Sequence, residues 1–268
     1  MENLGNVENK GFEATLSYKI FQKRDSYFSV MASVAHNQNK ITSINDALSS
    51  FNKETDSENS TTPRLRYAEG QSMTAIWAVR SLGIDPANGR ELFLKKDGVT
   101  TTYDYSTDDY VICGDSNPKY HGTFGFNGEI KGIGLNAIFS YQLGGDYYNQ
   151  TLVDRVENVN IANNVDRRVL TDTWNSPGDR ALYKHITSTP STTYATSRFI
   201  QRNNQLQLSS VNLYYDFKNQ PWLRSSRIER LRLAFYMNDV FHISSVKAER
   251  AFSYPYARSY SFSASITF

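Results

Sequence analysis

Apolar and polar residues alternate with period two along several stretches of this chain. In the last of them Tyr260, Phe262, Ala264, Ile266 and Phe268 hold one parity, and Ser259, Ser261, Ser263, Ser265 and Thr267 hold the other. A strand turns successive side chains to opposite faces, so this segment has one apolar face and one face of small hydroxyls. Phe12, Ala14, Leu16, Tyr18 and Ile20 alternate in the same way with Glu13, Thr15, Ser17 and Lys19. After the polar turn at 22–26, Phe28, Val30, Ala32 and Val34 repeat the pattern, which predicts a hairpin. Phe124, Phe126 and Ile130 alternate with Thr123, Asn127 and Glu129, and Lys131-Gly132 then turns the chain. Ile133, Leu135, Ala137, Phe139, Tyr141 and Leu143 follow, against Asn136, Ser140 and Gln142, with Ile138 as the apolar exception. Leu206 to Phe217 is a further strand whose parity shifts at Ser209-Ser210, predicting a bulge. Leu231, Leu233, Phe235 and Met237 alternate with Arg232, Ala234 and Tyr236.

The connections are sorted by length. Those at 22–26, 131–132 and 218–227 are short, whereas 39–71, 146–200 and 241–257 are longer and polar, with room for a short helix within 152–174. Outer-membrane barrels have short periplasmic turns and long extracellular loops, and their strands show an apolar face to lipid and a polar face to the lumen. A soluble sandwich has no reason to sort its connections. The strands at 72–82 and 120–131 must run in one direction, so an opposite strand is expected between them, beginning at Glu91-Leu-Phe-Leu94. The expected architecture is all-β: part of an antiparallel transmembrane β-barrel of about nine strands with long extracellular loops.

Composition leaves this picture standing. Aromatic residues make up 13% of the chain, which favours strands and membrane interfaces. Mean hydropathy is −0.54. No apolar run approaches the ~18 residues of a membrane helix, but a barrel strand is half polar and reads as hydrophilic. A soluble secreted β-sheet protein that binds or cleaves carbohydrate is the alternative on composition alone. A net charge of +2 makes no case for nucleic acid, and the lone Cys113 excludes an internal disulfide and a cysteine metal cluster. His36, His121, His185 and His242 lack ligand spacing, and Asp108-Asp109, Asp115 and Asp146 lack the order of a calcium loop. Gly125-Phe-Asn-Gly128 and Gly132-Ile-Gly134 lie on or between strands rather than before a helix, so they ease a wall or turn. No serine, histidine and acid are set at a nucleophile elbow. No catalytic, cofactor-binding or metal-binding residues are therefore expected. The N-terminus lacks a charged-then-apolar export signal, which for an outer-membrane protein predicts a fragment.

Candidate contacts for cargo or lumen are Asn136, Ser140 and Gln142 on the polar parity, and Tyr147, Tyr148 and Trp174 in or beside loops. Aromatic faces there suit stacking on a sugar ring or a peptide side chain; the plainer expectation for Tyr147 and Tyr148 is an aromatic belt at the membrane interface.

Several stretches, in order along the chain, resemble the C-terminal barrel portion of the SusC/RagA family of TonB-dependent outer-membrane transporters. They are Val7-Glu-Asn-Lys-Gly-Phe-Glu13, Gly83-Ile-Asp-Pro-Ala-Asn-Gly89, Gly114-Asp-Ser-Asn-Pro-Lys-Tyr120, Gly144-Gly-Asp-Tyr-Tyr-Asn149, Trp174-Asn-Ser-Pro-Gly-Asp179, Ser197-Arg-Phe-Ile200 and the closing strand. The resemblance covers nearly all of residues 1–268, with the plug domain and N-terminal strands absent. It implies import of nutrient oligomers (glycans first, peptides second) across the cell outer membrane of a Gram-negative, Bacteroidetes-like bacterium. It also implies a SusD-like surface lipoprotein as partner, and a TonB complex acting through the missing N-terminal part. Tyr260, Phe262, Ile266 and Phe268 would then form the outer-membrane assembly signal.

Overall fold

A computed structural model of the chain describes residues 5–56, 59–187, 191–218, 220–247 and 258–268. Its strands are β1 (Gly5–Lys23), β2 (Ser26–Ile44), β3 (Ala75–Ile84), β4 (Glu91–Leu94), β5 (Thr101–Thr102) and β6 (Tyr110–Asp115). They continue with β7 (Tyr120–Ile130), β8 (Ile133–Tyr148), β9 (Ile200–Lys218), β10 (Arg230–Ser244) and β11 (Ser259–Thr267). Seven of them form one sheet in the order β1-β2-β7-β8-β9-β10-β11, and four form another in the order β5-β4-β3-β6. The pairs β2–β7, β7–β8, β9–β10 and β10–β11 are antiparallel.

The expectation of about nine strands in one wall is corrected here to seven among the described residues. The strand expected at 72–82 and the one at Glu91–Leu94 both belong to the smaller sheet, and β7 pairs directly with β2, from Ser26↔Ile130 to Ala35↔His121. The physical reason is visible in β3: neighbouring Ala78 and Val79, on opposite faces, are both wholly buried. A strand covered on both faces belongs to a packed core, not to a wall with one face in lipid. Seven is odd, so the alternation of short and long connections survives the change.

The chain divides into two compact units. The sheet unit comprises Gly11–Asn37, Pro118–Gly144 and the described part of Asn203–Phe268. Its short connections are Arg24-Asp25 and Lys131-Gly132, where Lys131 at φ 50° and Gly132 at φ 90° make a tight turn with both central residues left-handed. Large apolar side chains stand exposed on its strands, among them Leu16 (68%), Ile133 (56%) and Phe262 (83%). They meet across strands in ring contacts: Phe124 stacks on Phe139 at 4.8 Å, Phe28 approaches Phe126 at 6.0 Å, and Phe235 touches Phe262 at 5.0 Å. Such cross-strand pairs fix register while leaving the apolar face open.

The predicted irregularity near Ser209 is present, and its register shift shows on the opposite strand. Asn238 pairs with Ser210 and Phe241 with Leu208, so two residues of β10 (Asp239, at φ 51°, and Val240) face one residue of β9.

The loop unit comprises the described parts of Met1–Lys10, Gln38–Asn117 and Gly145–Arg202. The long connection expected from residue 39 begins later, because β2 continues to Ile44, and helix α1 (Asp46–Asp56) follows. Asn45 Oδ1 accepts from the Leu48 amide at 2.9 Å, one of the donors that a helix start leaves without an internal partner. Short helical turns at Gln150–Leu152, Val153–Glu157 and Arg168–Thr171 fill the segment where a short helix was expected. Their Leu152, Val153, Val156 and Val169 make a core with Tyr183 and Phe199. A second cluster joins Val79, Phe93 and Tyr110. The far part of the last long connection, 248–257, lies outside the described residues.

Candidate functional site

In the sheet unit the polar parity gathers into a cleft of about 410 Å³. Ser140 and Gln142 line it, as the alternation predicts, together with His121, Thr123, Gln205 and Gln207. Ser140 Oγ lies 2.8 Å from Ser209 Oγ, and Thr123 Oγ1 lies 2.9 Å from Ser33 Oγ. Beyond the parity shift the same face carries Asn212, Tyr214 and Asp216 instead of odd-numbered residues. Tyr214 donates to Glu129 Oε2 at 2.8 Å, and Tyr27 donates to Asn127 Oδ1 at 3.3 Å. The Tyr214 ring rests on Gly134, where an added Cβ would fall 1.9 Å from the ring. Arg230 and Arg232 both pair with the buried Asp216, the latter at 2.8 Å, and Arg232 lies 4.3 Å over the Tyr214 ring. This face therefore has a neutral stretch of hydroxyls and amides followed by a charged, cross-linked stretch. Asn136 sits opposite Asn127 in the β7–β8 register, in the second stretch rather than in the cleft.

Gln205 and Gln207 are the cleft residues that strand-by-strand alternation passes over. The signal was there: parity counted backward from the shift at Ser209-Ser210 places them with Ser140.

In the loop unit the stretches that carry the family resemblance are fastened to one another. Pro86 offers its carbonyl to both the Gly178 amide (2.8 Å) and the Trp174 indole N–H (2.9 Å). Gly89 leaves room for the Trp174 ring, which an added Cβ would approach to 2.6 Å. Asp85 accepts from the Tyr103 hydroxyl and the Ala87 amide, and these two bonds hold its carboxyl below the usual carboxylate range. Asp179 closes its own turn by accepting from the Ser176 and Asn175 amides, with the same effect on its carboxyl. Asp146 Oδ2 accepts from the Asp115 amide at 3.0 Å, against Gly114, where a side chain would collide. Asn149 receives its partner in the Phe199 carbonyl at 2.8 Å.

Arg198 is the centre of this lattice. Its guanidinium meets Glu91 at 3.1 and 2.9 Å, Glu157 at 2.5 and 3.3 Å, and the Leu182 carbonyl at 2.7 Å. Both carboxylates are nearly or wholly buried. Nothing local in the sequence marks these three residues as partners, because they lie 41 and 107 positions apart.

The predicted aromatic contacts divide. Tyr147 is exposed. Tyr148 packs on Phe199 at 6.1 Å and donates its hydroxyl to the Thr61 carbonyl at 3.0 Å, so it braces the core. Trp174 is held by Pro86 and meets His185 edge-on at 5.9 Å. Tyr260 and Phe262 of β11 make ring contacts with Phe235, and they, Ile266 and Phe268 are all exposed. Among the described residues no three His, Cys, Asp or Glu side chains gather to hold a metal, and no helix is long and apolar enough to cross a membrane.

No family model matches the chain. Two curated relatives come from Formosa agariphila. TonB-dependent receptor P3 is 25% identical over 171 residues, covering 58% of this chain and 17% of that protein. TonB-dependent receptor P39 is 19% identical over 290 residues, covering 89% of this chain and 27% of that protein. Among solved structures, the RagAB peptide transporter superposes with a TM-score of 0.72 at 19% identity, covering 91% of this chain and 27% of that one. The RagAB importer in its open-open state gives 0.72 at 18%, covering 90% and 26%. The chain thus spans about a quarter, or less, of the length of the proteins it matches. These relatives are receptors and transporters, and the non-enzymatic reading of the chain stands with them. The resemblance read in the sequence is borne out: the chain is similar to part of two TonB-dependent receptors and shares its fold with part of the RagAB transporter.

Proposed function

We propose that this chain is the C-terminal stretch of the barrel of a TonB-dependent outer-membrane receptor that imports nutrient oligomers. The observation that carries the reading is the two-faced sheet: exposed aromatic and aliphatic side chains on one parity, a hydroxyl- and amide-lined cleft on the other. Lipid suits the first face and a hydrated lumen the second. The seven-stranded sheet has open edges, which lipid does not tolerate, so the wall is completed by strands outside this chain. The loop unit lies on the extracellular side, where a SusD-like lipoprotein holds cargo over the barrel, and TonB acts on the plug from the periplasm. Tyr260, Phe262, Ile266 and Phe268 present the final strand to the outer-membrane assembly machinery.

Cargo is an oligomer rich in neutral hydrogen-bonding groups, glycans first. The cleft supports this, since Ser140, Gln142, Gln205 and Gln207 offer both donors and acceptors without charge. A peptide cargo is the second reading, favoured by the shared fold with a peptide transporter. Deleting the whole receptor gene in its native host tests the proposal. Uptake of labelled oligosaccharides should fall while monosaccharide uptake persists; loss of labelled oligopeptide uptake alone would select the second reading. Unchanged uptake of both would refute import.

A further inference from the structure

Three short connections lie side by side along one end of the large sheet. They join β1 to β2, β7 to β8 and β9 to β10, strands that are neighbours in its order. Backbone hydrogen bonds tie them into one rim. The Lys131 amide donates to the Asp25 carbonyl at 3.0 Å, and the Asp216 amide, near the end of β9, donates to the Gly132 carbonyl at 2.8 Å. Six adjacent strands at a spacing of about 4.8 Å make the rim roughly 25 Å wide, room for several small headgroups.

Charge is sorted to this rim. The connections 22–26, 131–132 and 218–227 hold six cations, Lys23, Arg24, Lys131, Lys218, Arg224 and Arg227, against the single acid Asp25. Six less one leaves +5, more than the +2 of the whole chain, so the rest of the chain is net negative. Lys23, Arg24, Lys131 and Arg227 are exposed, and among the described residues their side chains make no ion pair or hydrogen bond. Two of them sit on unfavourable backbone. Lys131 has φ 50° and Arg227 φ 57°, the left-handed region where glycine or asparagine is at ease and a long side chain is not. Asp239 is the one other such residue among those described, and it belongs to the β10 bulge. Local stability does not account for a cation at either turn, whereas a partner outside the chain would.

Apolar side chains border the rim on the sheet side. Ile20, Ile130, Ile133 and Trp222 are exposed there, and Trp222 meets Phe217 edge-on at 5.7 Å. An apolar band edged by an indole and then by unpaired cations matches the boundary of a bilayer, where headgroup phosphates lie. We propose that this rim binds anionic phospholipids of the leaflet it borders, with Lys23, Arg24, Lys131 and Arg227 holding their headgroups. An acidic polypeptide would use the same charge but not the apolar border. The proposal rests on the reading of the sheet as a membrane wall.

The test uses the whole receptor with bimane attached at Ile133→Cys, on a strand flanked on both sides by strands of this chain. It is reconstituted in two mixtures of phosphatidylglycerol and phosphatidylcholine that differ only in which lipid has brominated acyl chains. Brominated phosphatidylglycerol should quench more, by an amount corresponding to a local enrichment of about threefold to fivefold at low salt. At ~1 M salt, where screening acts within about 3 Å, the enrichment should vanish. Lys23→Gln, Arg24→Gln, Lys131→Gln and Arg227→Gln combined should abolish it at low salt. Lys131→Asn alone, which suits a left-handed turn, should lower the enrichment to about twofold while heat resistance stays the same or rises. The proposal is overturned if both mixtures quench alike or if the preference survives the fourfold variant. Equal quenching would leave lipid at this face and remove only the headgroup preference. No quenching by either lipid would refute the membrane wall, and the proposal with it.

Discussion

Gly89 and Trp174 show how a single residue secures the loop unit. Gly89 has φ 70°, and its missing side chain is the space that the Trp174 ring fills. Alanine there would meet both a left-handed backbone and a packed indole, at a cost of about 2–4 kcal/mol. Urea unfolding followed by tryptophan fluorescence should show that loss for Gly89→Ala, and a smaller further loss when Trp174→Ala is added. A change below about 1 kcal/mol would mean that the two turns are not locked through this contact. Cys113 makes a different point. Burial raises its thiol to about 11, and its Sγ sits 3.5 Å from the Ala78 carbonyl. Only the thiolate reacts, so alkylation by iodoacetamide at pH 8 should be slower than that of free cysteine by on the order of a hundredfold. As pH rises toward 11 the rate should climb; a rate equal to free cysteine at pH 8 would contradict the buried setting. At this scale parity was enough to find Ser140 and Gln142, because a strand's two faces follow from counting. Arg198, Glu91 and Glu157 were illegible, since a salt-bridged lattice depends on which distant segments meet.

At the scale of elements, alternation located the wall strands, their short turns and the irregularity at Ser209. It failed where a short apolar run has two explanations. The stretch 72–82 reads as a wall strand, yet most of it lies in β3, an inner strand of the small sheet whose Ala78 and Val79 are buried on opposite faces. Burial, not length, tells them apart: β3 has 10 residues, between β11 with 9 and β7 with 11, but β1 is exposed along nearly all of its length. The closing strand carries a prediction of its own. β11 pairs with β10 from Asn238↔Ser259 to Arg230↔Thr267, and its aromatic row is exposed apart from ring contacts to Phe235. If that row serves as an assembly signal, Phe262→Ser with Phe268→Ser in the whole receptor should slow insertion and leave precursor in the periplasm. Normal insertion with only a lower resistance to heat would reduce the row to a seal.

At the scale of the whole molecule there are two units: a sheet with one apolar and one polar face, and a loop unit with its own core. The sheet was largely legible because its apolar surface is written in the sequence at every second position. The loop unit was legible as a set of family-like stretches but not as a fold, since Pro86, Trp174 and Asp179 take their meaning only once the turns are joined. The central claim is that the apolar parity of the sheet meets lipid. Fluorescent bimane attached at Phe139→Cys or at Ser140→Cys, in the whole receptor reconstituted with brominated acyl chains, compares adjacent residues on opposite faces, and Cys113 should remain unlabelled. The account predicts strong quenching at position 139 and little at 140. Equal quenching at both positions, or quenching at 140 alone, would contradict it.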